Sequence, residues 1–493
     1  MNLNILISIC VRVLTAPVLA AILTSARADT ITAKTIRPER ELFITDSAVV
    51  DSYVATYPGA WSFGALIEEI VGKENASHCI AEWLDTWRVG TVENELAAPR
   101  RPAIFEQIIQ PWQGRDGYDP ESEVRWNPKL ENAPFRLCAI VNRMDLCAPD
   151  LLELPRRIAE EWRRRGLEKR FDLLVSRVGA TSPLVPAPSP GLPSGYGGCL
   201  PTPSTSVSAG QGRFIFTATD GEGNPLAGDW MVIFEYQLPS SGRLSPRGWA
   251  QEWHRLAQLD PKTHEFVLAL EQLTRGFTHR SGSSGQVSLA QIRTSEAAFH
   301  PDREFREFRV KNNSLVLSPL PLTPAPDFAK AKSREEEALG TFLHEQEPLI
   351  RSGLHLLPGT ISDRKGSMQL AALRAVIPAD QPDFHWDPGH ISRETRRIVS
   401  LNTCNGCHAG ETGCRDGLHV HGRPAWLPSQ TSQFLKTDGK PLRVKDPAGA
   451  GSTLEYNEMG DREAIFAALL EPRDRKQLDE LTNVLRARLR RSH

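Results

Sequence analysis

Residues 213–219 read RFIFTAT and residues 230–236 read WMVIFEY, and these two stretches decide the fold. Both are rich in aromatic and β-branched side chains, which favour strands over helices. Between them, DGEGNP at 220–225 has the residue types of a turn. The pattern therefore predicts a β-hairpin.

Toward the N-terminus of this hairpin the sequence is less regular. FRLCAIV at 135–141 predicts a further strand that enters a turn at 142–145. Residues 154–170 predict a helix whose run of arginines is a solvated face. Residues 181–212 hold seven prolines, which cannot donate to a hydrogen-bond ladder, so they predict a long surface loop or linker. Residues 29–240 are therefore expected to be a β-containing α+β region.

After residue 240 the apolar spacing becomes helical. Ser245 and Pro246 form a helix start, and Trp249, Trp253 and Leu256 recur on one face of the helix that follows. Further helices are expected through 266–273 and over 335–351, 393–401, 461–470 and 475–491, with Pro348 ending or kinking the second of these. The expected class is α+β, with strands concentrated before residue 240 and a mainly helical region over 241–390.

Composition limits the classes of function. The chain has 493 residues, of which 40% are hydrophobic and 24% charged, as in ordinary globular proteins. A formal net charge of −2 argues against a dedicated nucleic-acid binder, which would carry a strongly basic domain. The sequence also has no phosphate loop, dinucleotide fingerprint, nucleophile elbow or HExxH motif.

The first 28 residues predict a cleaved signal peptide. An apolar run from Leu3 to Leu23 leads to Ala26-Arg27-Ala28, a small-x-small cleavage site. Arg12 and Pro17 interrupt the run, which leaves it short of a membrane anchor. We therefore expect a bacterial periplasmic or secreted protein with no integral membrane span after cleavage.

Seven cysteines remain after that cleavage, too few for a disulfide scaffold of this length. Two of them, Cys404 and Cys407, belong to the motif described next. Up to two disulfides could form among the other five, and the sequence leaves their pairing open: Cys79, Cys138, Cys147, Cys199 and Cys414.

One motif carries recognisable chemistry. Residues 404–408 read CNGCH, the attachment signature of c-type haem. Thiols three residues apart can each add to one haem vinyl group, and the histidine that follows is placed to give an imidazole nitrogen to iron. The expected export agrees with this interpretation, because bacteria attach c-type haem outside the cytoplasm.

Over residues 391–493 the sequence resembles the c-type cytochromes, in which a helix leads into CxxCH and a C-terminal helix packs on it. Here ISRETRRIVSLNT at 391–403 precedes the motif, and two predicted helices follow it. The resemblance implies a small all-α module with one covalent haem c on Cys404 and Cys407 and with His408 as the proximal iron ligand. The stretches NTCNGCHAGET, FRLCAIVNRMDL and WMVIFEYQLP also resemble uncharacterised secreted bacterial cytochrome c domain proteins, which suggest no mechanism.

The sixth iron ligand is open at this point. Met459 has the position of a cytochrome c methionine, just ahead of the predicted helix over 461–470. His419 and His421 compete with it, and a site without a sixth protein ligand is the third possibility. A six-coordinate haem transfers electrons, whereas an open haem could bind peroxide or another small oxidant.

The preferred interpretation is electron transfer to or from a redox partner protein. The first alternative is an enzyme that uses a five-coordinate haem on peroxide or a small oxidant, so enzyme activity is undecided. A structural or binding protein is the second alternative, with the C-terminal segment held together by haem or by zinc on Cys404, Cys407, Cys414 and His419 or His421. A redox-active CxxC is the least favoured, because no thioredoxin-like pattern surrounds it.

Other polar groups are given ordinary roles. His254 is expected on a helix surface. Residues 385–390, HWDPGH, are interpreted as a loop, with a second metal site or a distal-haem role as the alternative. The densely charged stretch 293–310 is interpreted as a surface network of ion pairs.

Overall fold

The computed structural model describes the chain in segments that include both hairpin strands and the CNGCH motif. The described residues are 36–50, 61–86, 135–144, 208–219, 230–239, 245–279, 288–296, 302–351, 355, 357–413, 440–449 and 451–471. The predicted signal peptide, the turn at 220–225 and the helices predicted over 154–170 and 475–491 lie outside them.

A sheet of eight antiparallel strands forms the centre of the described structure. The described strands are β1 (Phe43–Ile44), β2 (Phe135–Met144), β3 (Ser208–Ala218), β4 (Trp230–Pro239), β5 (Leu289–Glu296), β6 (Arg303–Lys311), β7 (Ser314–Ser318), β8 (Thr360–Asp363), β9 (Gly366–Gln369), β10 (Ala375–Ile377), β11 (Leu442–Lys445) and β12 (Thr453–Tyr456). The large sheet has the order β1-β2-β3-β4-β5-β6-β10, and β7 also pairs with β6. The predicted hairpin is confirmed as β3 and β4, with Phe214 opposite Phe234.

Side chains alternate between the two sides of a strand, and this gives the sheet two different faces. We call one the apolar face; it carries Phe135, Phe214, Phe216, Phe234 and Phe308. We call the other the charged face; it carries Arg213 on β3, Glu235 on β4, Arg293 on β5 and Glu307 on β6, all buried.

Helices cover the apolar face. The α-helices among the described residues are α1 (Pro38–Glu41), α2 (Ser47–Val50), α3 (Phe63–Val71), α4 (Lys73–Asp85), α5 (Pro246–Leu256), α6 (His264–Thr278), α7 (Arg334–Glu345), α8 (Glu347–Arg351), α9 (Arg393–Leu401), α10 (Cys404–Cys407) and α11 (Glu458–Leu470). The Phe63 ring of α3 lies 4.5 Å from the Phe135 ring, and the Trp83 ring of α4 lies 5.9 Å from the Phe308 ring. The N-terminal helices therefore build this side of the main core, which also includes Cys407, Met459 and Phe466 of the C-terminal segment.

The predicted helix starts are confirmed where local signals define them. Ser245 begins α5 by accepting a hydrogen bond from the Gly248 amide at 3.1 Å, and Trp249 and Trp253 are buried as expected. The single helix predicted over 335–351 is instead α7 and α8. Its Pro348 lies in the first turn of α8, where a missing N–H leaves no helical hydrogen bond unmade.

Three expectations about strands are wrong. The strand that begins at Phe135 does not turn at 142–145 but continues to Met144. The Asn142 amide donates a hydrogen bond to Leu42 O, next to β1, and this bond keeps the strand extended. Residues 208–212 belong to β3 and not to the Pro-rich loop. Finally, β5, β6, β7 and β10 come from 241–390, so the described part of this region is not mainly helical.

The C-terminal segment lies against the charged face. Phe305, two residues from Glu307 on β6, packs against the His408 ring that follows α10. On α11, Arg462 stacks over the Phe43 ring of β1 at 4.9 Å. The segment also contains the β11–β12 hairpin, so the described part of 391–493 is not all-α.

The described structure confirms a mixed α+β fold. Among its helices none combines the length and the apolar character needed to cross a membrane.

Candidate functional site

Two capped helices present the CNGCH residues. Ser392 begins α9 by accepting a hydrogen bond from the Thr395 amide at 3.3 Å, and Thr403 begins α10 by accepting one from the Gly406 amide at 3.0 Å. The chain turns so tightly between the two helices that a Cβ atom on Gly406 would lie 2.3 Å from Ser400 O. The second variable position of the CxxCH motif must therefore be glycine in this chain.

Cys404 and Cys407 begin and end the short helix α10, and neither is part of a disulfide. Cys404 is 2% exposed and packs with Phe305, Leu320 and Ala375, while Cys407 belongs to the main core. Burial raises the pKa of the Cys404 thiol to about 11, which keeps this thiol protonated at neutral pH.

His408 ends α10 and lies on the sheet. Its amide donates to Cys404 O at 3.0 Å, which fixes the histidine directly after the two thiols. The His408 and Phe305 ring centroids are 4.7 Å apart, and the imidazole is only partly exposed. The three residues that the sequence singled out thus share one turn of chain above β6.

A buried tryptophan supports the first half of the motif. The Trp386 indole N–H donates to Asn405 Oδ1 at 2.9 Å, and the Asn405 amide group donates to Val376 O at 3.2 Å. The Trp386 backbone amide also donates to Ser400 Oγ at 2.9 Å. The loop containing HWDPGH therefore acts as a support for α10.

An ion cluster supports the second half. Arg396 on α9 donates to Glu411, three residues after His408, at 2.5 Å and to Asp446 at 3.2 Å. All three side chains are buried. Thr412 adds a hydrogen bond from its hydroxyl to Cys407 O at 2.6 Å. The motif is thus held on both sides by groups that do not belong to it.

Of the candidate sixth ligands, the structure describes one. Met459 is buried in the first turn of α11, slightly later than the expected place ahead of the helix, and belongs to the same core as Cys407. His419, His421 and Cys414 lie outside the described residues. The identity of the sixth ligand and the zinc alternative therefore remain predictions.

The charged face extends beneath this site. Arg293 donates to Glu307 at 3.1 Å and lies 3.6 Å from Glu235, which in turn lies 3.4 Å from Arg213. Burial opposes the ionisation of Glu235, but the charges of Arg213 and Arg293 outweigh it and lower the pKa of this carboxyl. Burial lowers the pKa of Arg213 to about 9, so this guanidinium still carries its charge at neutral pH.

The prediction that residues 293–310 form a surface network of ion pairs is wrong. The stretch instead forms most of β5 and β6, and its ion pairs are buried. The sequence contains no period-two signal for β6, because REFREFRVK at 303–311 places Phe305 and Phe308 on opposite sides of the strand.

Two further histidine interpretations have different outcomes. His254 is buried and lies 2.7 Å from the Glu41 carboxylate, so placing it on a helix surface was wrong. In the HWDPGH loop, Asp387 and His390 are exposed. Within the described ranges, no three His, Cys, Asp or Glu side chains are grouped as they would be around a metal ion.

The disulfide question is answered for two of the five cysteines. Cys79 and Cys138 are buried and neither is part of a disulfide. Cys147, Cys199 and Cys414 lie outside the described residues.

Comparison with known protein families, with curated proteins and with solved structures finds no match to this chain.

Proposed function

We propose that this chain is an exported mono-haem protein that transfers electrons through one covalently bound haem c. The observation that carries the proposal is that Cys404 and Cys407 begin and end α10 without a disulfide, and that His408 follows them directly. This donor set fits haem c, whose vinyl groups take two thioethers and whose iron takes a histidine nitrogen.

The surroundings of the thiols also fit an apolar macrocycle. Cys404 lies among apolar side chains of β6 and β10, and Cys407 lies among those of the main core. A protonated thiol can add its sulfur to one vinyl carbon and its hydrogen to the other, so attachment consumes no oxidant. Cys404 and Cys407 would hold the haem, and His408 would bind its iron.

Bound haem would supply a one-electron ferric–ferrous couple. The chain's own part is to hold the histidine and the thiols in fixed positions, through Trp386 and Asn405 on one side and Arg396 and Glu411 on the other. One electron gained by the haem is one electron lost by a redox partner protein, and the reverse applies when the haem is oxidised.

The test is to produce the full chain in a bacterium that matures c-type haem, and to run the purified protein on a denaturing gel with a haem stain. We expect a stained band and one haem per chain in the pyridine haemochrome spectrum. A double variant with Cys404→Ala and Cys407→Ala should lose the stain. Variants Cys79→Ala and Cys138→Ala are matched controls, since these buried cysteines lie outside the motif, and should keep it.

A colourless wild-type protein, or haem that leaves on denaturation, would overturn the proposal. Carbon monoxide gives a second check on the stained protein. Slow or absent binding by the ferrous form is expected for a six-coordinate electron carrier. Rapid binding would reject that function in favour of a haem enzyme acting on peroxide or a small oxidant.

A further inference from the structure

The Arg293–Glu307 pair lies on the charged face next to the strand position that contacts the CNGCH turn. Phe305 and Glu307 are two residues apart on β6, so their side chains stand on the same side of the sheet, about 6–7 Å apart along the strand. The Phe305 ring contacts the His408 ring. Arg293 on β5 pairs with Glu307 on β6. The ion pair therefore lies beside the residue on which the imidazole rests.

The charges of this pair are poorly screened. Arg293 is 6% exposed and Glu307 is fully buried, and Glu235 joins them at 3.6 Å from Arg293. Buried charges keep much of their interaction that water and salt would otherwise remove. Buried ion pairs also add little net stability compared with apolar residues of the same size. Stability alone therefore does not explain why these charges are buried, and their position next to the CNGCH turn points to a role there.

We propose that Arg293, Glu307 and Glu235 set the midpoint potential of the haem that this site would hold. The inference rests on the proposed function. Ferric haem carries one positive charge more than ferrous haem, so a nearby carboxylate favours the ferric form and lowers the potential. A nearby guanidinium does the opposite. The balance between the two kinds of charge then decides which partners can give or accept the electron.

The Cys404 thiol already responds to both charges. Burial is the main cause of its raised pKa, Arg293 acts to lower that pKa, and Glu307 acts to raise it. The electrostatic influence of the pair thus reaches the thiol at which the haem would be attached.

The experiment compares midpoint potentials of full-length, haem-loaded variants by spectroelectrochemical titration at pH 7. Glu307→Gln removes a negative charge and should raise the potential, whereas Arg293→Gln removes a positive charge and should lower it. General loosening of the site would move both variants in the same direction, so opposite shifts are the decisive result.

The opposite face of the same two strands offers a matched control. Glu296 and Arg306 form an equally buried ion pair at 2.8 Å, on the side of the sheet away from His408. Glu296→Gln should therefore shift the potential much less than Glu307→Gln. Equal shifts in these two variants, or shifts of the same sign in Glu307→Gln and Arg293→Gln, would overturn the inference.

Two further variants extend the test, and the one at the partly exposed Arg309 keeps it decisive if a buried substitution prevents folding. Glu235→Gln removes the second carboxylate and should raise the potential. Arg309→Gln removes a partly exposed cation that lies 3.0 Å from Glu307, and should lower it. Haem content is measured first on every sample. A haem-free wild type would reject the proposed function, whereas haem-loaded variants with unchanged potentials would reject only this inference.

Discussion

At the scale of single residues, Gly406 controls the shape of the CNGCH turn. A methyl group there would lie 2.3 Å from Ser400 O and 2.6 Å from Thr403 Oγ1, the group that caps α10. We predict that Gly406→Ala destabilises the protein by about 1–3 kcal/mol, as overpacking of a tight site does, and lowers the fraction of chains that acquire haem. Urea unfolding and the pyridine haemochrome spectrum measure the two effects.

Gly389→Ala is the matched control for this prediction. A Cβ atom at Gly389 would make only an ordinary contact, 3.5 Å from Glu336 Oε1. This variant should change the free energy of unfolding by less than about 0.5 kcal/mol. If Gly406→Ala behaves like Gly389→Ala, the turn is less constrained than the structure indicates.

At the scale of elements, α9 is joined to the segment after His408 by Arg396. Its side chain is 3% exposed and binds Glu411 and Asp446, whereas Arg393, which binds the same Asp446, has a side chain that is 44% exposed. Removing Arg396 leaves a buried carboxylate without its cation. We predict that Arg396→Gln costs about 3–5 kcal/mol in the free energy of unfolding.

The control for that prediction is Arg393→Gln, which should cost no more than about 1 kcal/mol because solvent screens the exposed arginine. Both values come from urea unfolding of the full chain. Similar losses in the two variants would show that Asp446, and not the buried link to Glu411, is the contact that matters.

The start of α9 gives a prediction about pH. Glu347 on α8 accepts a hydrogen bond from the Ser392 amide at 2.8 Å, and this bond is the main cause of its lowered pKa. A carboxyl group whose pKa is lower in the folded state stabilises the fold above its unfolded pKa, and this contribution is lost as the pH falls through the folded pKa. Glu347→Gln should therefore be less stable than wild type at pH 7, by less than about 1 kcal/mol because the group is partly exposed.

The difference between Glu347→Gln and wild type should shrink as the pH is lowered below about 4, near the ordinary range of carboxyl pKa values. Thermal unfolding between pH 3 and pH 7 tests this expectation. Glu394→Gln removes an exposed carboxylate from the same part of α9 and serves as the control for the loss of a negative charge there. A constant difference at all pH values would contradict the assigned role of Glu347.

Elements defined by neighbouring residues were predictable from the sequence, and those defined by distant contacts were not. The β3–β4 hairpin, the start of α5 at Ser245 and the bounds of α9 follow from local patterns. In contrast, β6 is full of charged residues, and only its pairing with β5 explains why those charges are buried. Cys404, Cys407 and His408 were evident from their spacing in CNGCH. Glu307, in contrast, reaches the site from β6, which is far from the motif in the sequence.

At the scale of the whole molecule, the large sheet contacts both the N-terminal helices and the segment after residue 391, which the sequence analysis treated as separate regions. The N-terminal helices pack on its apolar face, and the segment after residue 391 packs on its charged face. The sequence suggested a separate haem module, because the motif and its flanking helices are contiguous. In the structure the CNGCH turn instead rests on Phe305 and Ala375, so its environment depends on strands from the preceding region.

This shared sheet predicts that the site and the sheet unfold together. Losing β6 would remove the surface under His408 and Cys404, so neither can keep its surroundings after the sheet unfolds. In urea, the change in the absorption spectrum of the haem proposed above and the loss of far-ultraviolet circular dichroism should therefore have the same midpoint, as coincident probes do in a cooperative transition. A haem change at clearly lower urea, with the sheet signal intact, would show that residues 391–493 unfold as an independent module.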